Sequence, residues 1–400
     1  MKKIILSVWL LKILNISISF LLPALLVRCY SPENFGYFSF LISISIYATI
    51  FQSGISASFR DELSGSGTYK SCKVFQDGFV RLLYLVTTVS LLLLSSYLIY
   101  QAEIIIYLSV CLFSVIPPLI CIYFDFKNCS IKYRLFEFIS ILLVLVIISF
   151  MAFNKTSILI ISCLWSLNKI FVVLWFSPFK IPNVFLYIKK YLNFSFYRKS
   201  FTISSVDVQY FFSQLGQVLF MLSLNYSIFN VGGSEFFGEY TLYQKFIFFP
   251  LQLFSAVAPI LWMKHLSHKS NALVSSSDIS RTLSKLYGLF LIGVIIWCFI
   301  MYLISPTIVK YYSGKEVDFG YLPQVIFVFL IIQIRDLLSV KLNAYAKYSV
   351  QISTSIASAV ITFLFALSSI SLSNILSLFI VVNVIFIFCY INTFIKVGKI

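Results

Sequence analysis

The chain has 400 residues, 60% of them hydrophobic and only 11% charged, with a mean hydropathy of +0.96. That balance excludes a soluble globular domain. A bilayer core about 30 Å thick takes roughly 20 apolar residues per helical crossing, because every backbone N–H and C=O must be satisfied within the segment. The net charge of +16 points to membrane topology rather than to nucleic acid, given where Lys and Arg fall.

The first apolar stretch, 4–27, follows Lys2 and Lys3 like the core of a signal peptide, but Lys12 interrupts it and no small-x-small cleavage site follows. It is expected to stay as an uncleaved first helix, with Lys12, Asn15 and Ser19 on one face at i, i+3 and i+7. The phrase SPENFGYFSF at 31–40 opens the second stretch, 35–57, which ends in QSGISASFRDEL with Arg60. Stretches at 79–100, 104–124, 138–153 and 158–179 follow, the last carrying Lys169. Runs such as SLLLLSSYLIY at 90–100 lack the period-2 alternation of a barrel strand.

Residues 180–200 are basic and aromatic and are expected to form an interfacial linker. The seventh stretch, 201–224, carries Asp207, Gln214 and Gln217 on one face. SEFFGEYTL at 234–242 then repeats the pattern E-x-F-G-x-aromatic-hydroxyl-apolar of residues 33–40 at an offset of 202, and opens the stretch 236–262 with Glu239 and Lys245. The same offset pairs Lys12 with Gln214 and Asn15 with Gln217. Stretches at 286–309, 322–340 (with Arg335), 352–370 and 375–395 complete a set of twelve.

The expectation is an all-α integral membrane protein: about 12 transmembrane helices in two parallel-repeat six-helix bundles, 1–179 and 201–400, around a central cavity. Within the repeated phrase, Glu33 and Glu235 suit the positive end of a helix dipole, and Gly36 and Gly238 allow close helix approach. With the N-terminus inside, twenty-one Lys and Arg fall in cytoplasmic segments and four in the opposite loops, which predicts both termini in the cytoplasm.

Lys12, Lys169, Lys245 and Arg335 are expected roughly 12–17 Å inside the membrane. A cation there costs about 2.5–3.5 kcal/mol, so it should face water, a partner or a ligand. The carboxylates expected within or beside crossings are Asp207, Glu239 and Asp336. An excess of mid-depth cations suits an anionic ligand, and the amides of Asn15, Gln214 and Gln217 suit sugar hydroxyls. His265 and His268 form H-x-x-H without a third ligand, and GSGTYKS at 65–71 lacks the G-K-[ST] of a phosphate loop, so neither a metal site nor ATP hydrolysis is expected. No cofactor is expected.

The R-x-x-SPENFG sequence at 28–36, the helix end QSGISASFRDEL at 52–63 and the two sets of six helices together resemble the Wzx-type O-antigen flippases of the multidrug/oligosaccharidyl-lipid/polysaccharide exporter superfamily. Ser31, Pro32, Glu33, Phe35, Gly36, Gly54 and Arg60 carry the motif, although the Gly-rich helix end is reduced here to Gly54. The resemblance implies a non-enzymatic inner-membrane protein that moves an undecaprenyl-diphosphate-linked oligosaccharide from the cytoplasmic to the periplasmic leaflet. The expected partners are that lipid, bilayer lipids, and an O-antigen polymerase and chain-length regulator, with no nucleic acid. Arg60, Asp207 and Glu239 are the candidates for gating or coupling. Two alternatives stay open: an O-antigen polymerase or polytopic glycosyltransferase, which the short outer loops disfavour, and a cation-coupled drug antiporter, which would want buried carboxylates.

Overall fold

The computed structural model describes residues 2–48, 68–126, 129–169, 172, 205–250, 252–253, 276–313, 320–344, 348–368 and 371–397. The described residues form twelve α-helices and two short 3-10 turns, with no strand. In chain order the helices are α1 (Lys2–Cys29), α2 (Pro32–Ile44), α3 (Thr68–Tyr100), α4 (Glu103–Cys111), α5 (Ile116–Phe126) and α6 (Ser130–Phe153). They continue as α7 (Ile158–Ser166), α8 (Ser205–Ile247), α9 (Ser276–Ser313), α10 (Leu322–Ala344), α11 (Tyr348–Leu367) and α12 (Leu372–Val397). Among the described residues, seven spans are long and apolar enough to cross a membrane. α9 exposes Leu289, Ile292, Ile296, Phe299 and Leu303 along one side. An exposed stripe of that size faces lipid, not water: this is a multi-pass membrane protein.

A helix stands at each predicted stretch as far as the described residues reach, and three differences bear on the site; residues 49–57, 170–171, 173–179, 201–204, 251, 254–262 and 369–370 of those stretches lie outside the described residues. The fourth is two helices, α4 and α5, joined by a 3-10 turn over Leu112–Val115. The fifth begins at Ser130 rather than 138, so Arg134 and Glu137 lie inside a helix. Within the sixth, α7 stops at Ser166 and the chain turns over 167–169, where Ser140 of α6 donates a hydrogen bond of 2.5 Å to the carbonyl of Asn168. A polar side chain from a neighbouring helix thus satisfies backbone freed in the middle of the bundle. The proposed linker 180–200, Arg60 and the H-x-x-H pair lie outside the described residues.

Packing repeats between the halves. In the first, α1 lies along α6, α3 on α4, α4 on α7, and α6 on α7. In the second, α8 lies along α11, α9 on α10, α10 on α12, and α11 on α12. Counted as crossings, first-on-fifth, third-on-fourth, fourth-on-sixth and fifth-on-sixth recur as seventh-on-eleventh, ninth-on-tenth, tenth-on-twelfth and eleventh-on-twelfth.

The main contact across the halves is between α2 and α8, and it is built from the repeated phrase. Ser31 caps α2, accepting a hydrogen bond from the Asn34 amide, and Glu33 stands in its first turn. The second copy follows Gly233, whose φ of +79° turns the chain between the two limbs of α8. Phe35, Gly36, Phe38 and Ser39 are buried in one copy, and Phe237, Gly238, Tyr240 and Thr241 at the matching positions of the other, while Glu33 and Glu235 are exposed in both. A Cβ on Gly36 would overlap the Ser234 carbonyl, and one on Gly238 would sit 3.0 Å from the Phe35 ring. Phe40 stacks on Phe229 at 4.0 Å between ring centroids and meets Phe237 edge-on at 5.9 Å.

Other contacts gather turns at the same end of the molecule. Tyr30 donates to the Thr156 carbonyl at 2.6 Å, Phe236 meets Tyr321 edge-on, and Gln324 donates to Ser373 at 2.8 Å. The turns near residues 30, 155, 233, 321 and 371 therefore share one face.

Candidate functional site

Charge concentrates where α1, α6 and the end of α7 meet. Arg134 and Glu137 stand at i and i+3 on α6, and Arg134 Nη1 donates to Glu137 Oε2 at 2.8 Å. Lys169, in the turn after α7, places Nζ 2.6 Å from Glu137 Oε1. Lys12 lies in electrostatic range of Glu137, Lys169 and Arg134. The exposures form a gradient: the Glu137 side chain is 0% exposed, that of Arg134 7%, and that of Lys169 36%. Glu137 thus sits at the back of the cluster, with Lys169 and the partly exposed Lys12 toward its open side. One turn beyond Lys12, the buried amide of Asn15 has no hydrogen-bond partner at either Nδ2 or Oδ1 among the described residues. Such an orphan is rare in a folded protein, and it marks a place for water or a ligand.

A second polar cluster lies in the other half. Arg335 of α10 is buried and has no carboxylate in an ion pair with it among the described residues. It donates through Nε to the Tyr390 hydroxyl at 3.4 Å, through Nη1 to Asn383 Oδ1 at 3.2 Å, and through Nη2 to Ser355 Oγ. Its guanidinium also lies 4.1 Å from the Phe220 ring centroid. Gly216 brings α8 against α11 here, since a Cβ on it would come within 2.9 Å of Ser355 Cβ. Ser213 then donates to Gln351 Oε1 at 2.8 Å, and Gln351 Nε2 donates to the Ser339 carbonyl at 3.2 Å. Four helices are tied through neutral groups to one buried cation.

The four cations expected around one cavity are therefore divided. Lys12 and Lys169 come together around Glu137, Arg335 is enclosed separately, and Lys245 joins neither set. Lys245 is half-buried on the second limb of α8, with no ion-pair partner among the described residues. Glu239 is half-buried two turns before it, and Gln214 and Gln217 are half-buried on the first limb. Asp207 is in the first turn of α8, and its side chain lies outside the described residues.

The expectation that Asp207, Glu239 and Asp336 are the only carboxylates in or beside crossings is corrected by Glu137. Arg134, one of the twenty-one Lys and Arg counted to cytoplasmic segments because it precedes the stretch 138–153, is corrected with it: both are buried inside α6. The available signal was R-x-x-E in IKYRLFEFIS, an i, i+3 pair leading an apolar run. Among the described residues, no group of three or more His, Cys, Asp or Glu could hold a metal ion.

A cleft of about 500 Å³ lies on the seam between the halves, lined by Phe40 of α2, Leu219, Asn225 and Tyr226 of α8, and Ala359 and Phe363 of α11. It is apolar apart from a few side chains, among them the buried Asn225, whose Oδ1 has no partner among the described residues.

No protein-family model and no curated protein matches this chain. Solved structures do. The MATE transporter VcmN of Vibrio cholerae, in a point-mutant form, superposes with a TM-score of 0.67 at 16% identity, covering 99% of this chain and 97% of that one. A MATE protein in complex with MaD5 gives 0.66 at 11% identity, covering 100% and 96%. The outward-facing conformation of a multidrug resistance MATE family transporter of the MOP superfamily gives 0.61 at 12% identity, covering 100% and 96%. The chain has the MATE transporter fold over its whole length.

Proposed function

We propose that this protein is a flippase that carries an undecaprenyl-diphosphate-linked O-antigen repeat unit from the cytoplasmic to the periplasmic leaflet by alternating access. In this reading two six-helix bundles, 1–179 and 201–400, rock about the α2–α8 seam, and residues 180–200 link them on the cytoplasmic side. The protein sits in the bacterial inner membrane with both termini in the cytoplasm, and an O-antigen polymerase and chain-length regulator receive its product.

The observation that carries the reading is the gathering of Lys12, Arg134 and Lys169 around Glu137, the one carboxylate that joins them among the described residues, inside a membrane protein. Cations in excess of their counter-ions within a bilayer are costly. A diphosphate diester, with two negative charges, offsets that cost when it binds and restores it when it leaves. Asn15, beside the cluster, and Gln214 and Gln217 offer amides to the sugar hydroxyls, while Lys245 and Arg335 add positive potential from the second half. Arg60, Asp207 and Glu239 are the residues proposed to gate or couple the cycle.

A cation-coupled drug antiporter is the second reading, and Glu137 is the observation in its favour, because a buried carboxylate is what a cationic drug needs. Its two ion-pair contacts, to Arg134 and Lys169, weigh against that use. Expression in a strain lacking its own O-antigen flippase separates the two. Restored surface O-antigen supports the flippase, whereas drug resistance without O-antigen supports the antiporter.

A further inference from the structure

We infer that the cleft on the seam between the halves is a binding site for an uncharged apolar alcohol, a hydrocarbon body whose one hydroxyl meets the amide of Asn225, and that its occupant holds the two halves in their present arrangement. The site is independent of the substrate proposed above.

The cleft's chemistry selects the ligand. Its volume of about 500 Å³ is that of a small-molecule site, in which an apolar lining is joined by a few polar groups that fix orientation. Among the described residues no charged side chain lines it, so an ionised headgroup would have no counter-ion there. Ser43 donates to the Phe40 carbonyl at 2.7 Å and Ser223 to the Phe220 carbonyl at 2.9 Å, each within its own helix. Asn225 differs: it is buried, and its Oδ1 has no partner among the described residues. An orphaned buried acceptor costs about 1–3 kcal/mol, which a donor brought by a ligand would recover. A hydroxyl both donates and accepts, so it answers the amide in either orientation. A plain hydrocarbon chain leaves the amide unmet.

The cleft's position sets the route in. Leu219, Val360 and Phe363 line it and are exposed, and on α11 they continue into the exposed Leu364 and Leu367. The mouth therefore opens on the lipid-facing surface, and the ligand arrives from the bilayer. Ile356 and Phe363 stand about 16 and 6 Å along the axis from Leu367, the end of α11, so the cleft lies in the half of the membrane next to the face shared by the turns near 30, 155 and 233.

Its walls belong to different halves. Phe40, Ser43 and Ile44 come from α2 in the first half, and the remaining lining comes from α8 and α11 in the second. Phe40 also stacks on Phe229, one turn beyond Asn225 on α8, and Tyr226 of α8 meets Phe363 of α11 at 5.9 Å between ring centroids. A ligand that touches both walls binds while they stand at this spacing, and so favours this arrangement over any in which α2 and α8 separate.

The test uses full-length protein in nanodiscs and two photoreactive probes, a diazirine-tagged dodecanol and the same tagged chain without its hydroxyl. Dodecanol should label α8 and α11 at the cleft. Asn225→Leu removes the orphaned amide and keeps an apolar wall, so it should lower dodecanol labelling at least roughly threefold and leave hydrocarbon labelling as it was. Val360→Trp, at an exposed position of the rim, should lower labelling by both probes. Untagged dodecanol should slow modification of a cysteine placed at the buried Ser39, and should not do so when Asn225→Leu is added. Equal dodecanol labelling of the wild type and Asn225→Leu overturns the site, because the cleft then takes any hydrocarbon chain. Should Asn225→Leu fail to insert, Val360→Trp decides, and dodecanol labelling unchanged by it overturns the site as well. Labelling of the cleft without slower cysteine modification overturns the hold on the two halves.

Discussion

Gly36 of α2 lies so close to Ser234, the residue after the bend in α8, that a Cβ at position 36 would overlap the Ser234 carbonyl. The two copies of the repeated phrase thus meet each other, and the glycine of each is the condition for the approach. Gly36→Leu should force α2 and α8 apart at this end. The expected outcome is greater reactivity of a cysteine placed at the buried Ser39, with transport lost and the protein still inserted. Gly238→Ala should do less, because its nearest neighbour is the edge of the Phe35 ring at 3.0 Å rather than backbone. Equal labelling of Gly36→Leu and the wild type would show that the glycine does not hold α2 against α8.

Arg335 and Lys245 are both cations on crossings, but their surroundings predict opposite effects. Arg335→Lys keeps the charge and loses the planar set of donors that reaches Tyr390, Asn383 and Ser355 at once. It should lower the thermal midpoint in detergent, with a loss of about 2–3 kcal/mol. Lys245→Met removes a cation without an ion-pair partner among the described residues and should leave stability unchanged or raised. If Lys245→Met nevertheless lowers transport of a lipid-linked diphosphate, its charge serves the substrate and not the fold.

The turn after α7 is held by Ser140, whose hydroxyl donates to the Asn168 carbonyl. Ser140→Ala should cost about 1 kcal/mol in stability. Because Lys169 follows in the same turn, it should also weaken headgroup binding. Ser149 donates to the Leu145 carbonyl four residues back in its own helix, so Ser149→Ala serves as a control and should alter neither. Thermal denaturation and binding of a short-chain polyprenyl-diphosphoryl monosaccharide to the two variants check this.

Sidedness follows from the Lys and Arg asymmetry. Cysteines near residues 30, 155, 230 and 315 should label from the periplasm, and those near 65, 130, 190, 270 and 345 from the cytoplasm. The turns near 30, 155 and 233 already share one face through contacts of Tyr30 with Thr156 and of Gly36 with Ser234. Periplasmic labelling at residue 190 would overturn the two-bundle arrangement.

The helices were legible because a bilayer crossing is either a helix or a strand of a closed barrel, and uniform apolar runs of the right length announce the helix. The repeated phrase was legible as a helix start, and its glycines as sites of close approach. What it approaches was not, because an offset of 202 marks similarity and carries no information about contact. Glu137 escaped for a local reason. It falls in RLFEFI, where two charges at i and i+3 look like the solvated end of a helix, and only the tertiary position of Lys169 turns that end inward. Arg335 was legible as a costly buried cation. Its neutral enclosure was not, because Asn383, Ser355, Tyr390 and Phe220 come from three other helices, and nothing in their spacing along the chain brings them together.

The central claim is that Lys12 and Lys169 hold the diphosphate of a lipid-linked sugar as it crosses the membrane. Its most direct test is the translocation of a fluorescent polyprenyl-diphosphate-linked sugar in proteoliposomes of the purified protein. Wild-type protein should move the lipid between leaflets, and Lys12→Gln with Lys169→Gln should slow it by at least roughly tenfold while the protein remains inserted and folded. Equal rates in the wild type and the double variant, or rates no higher than in protein-free liposomes, would contradict the account.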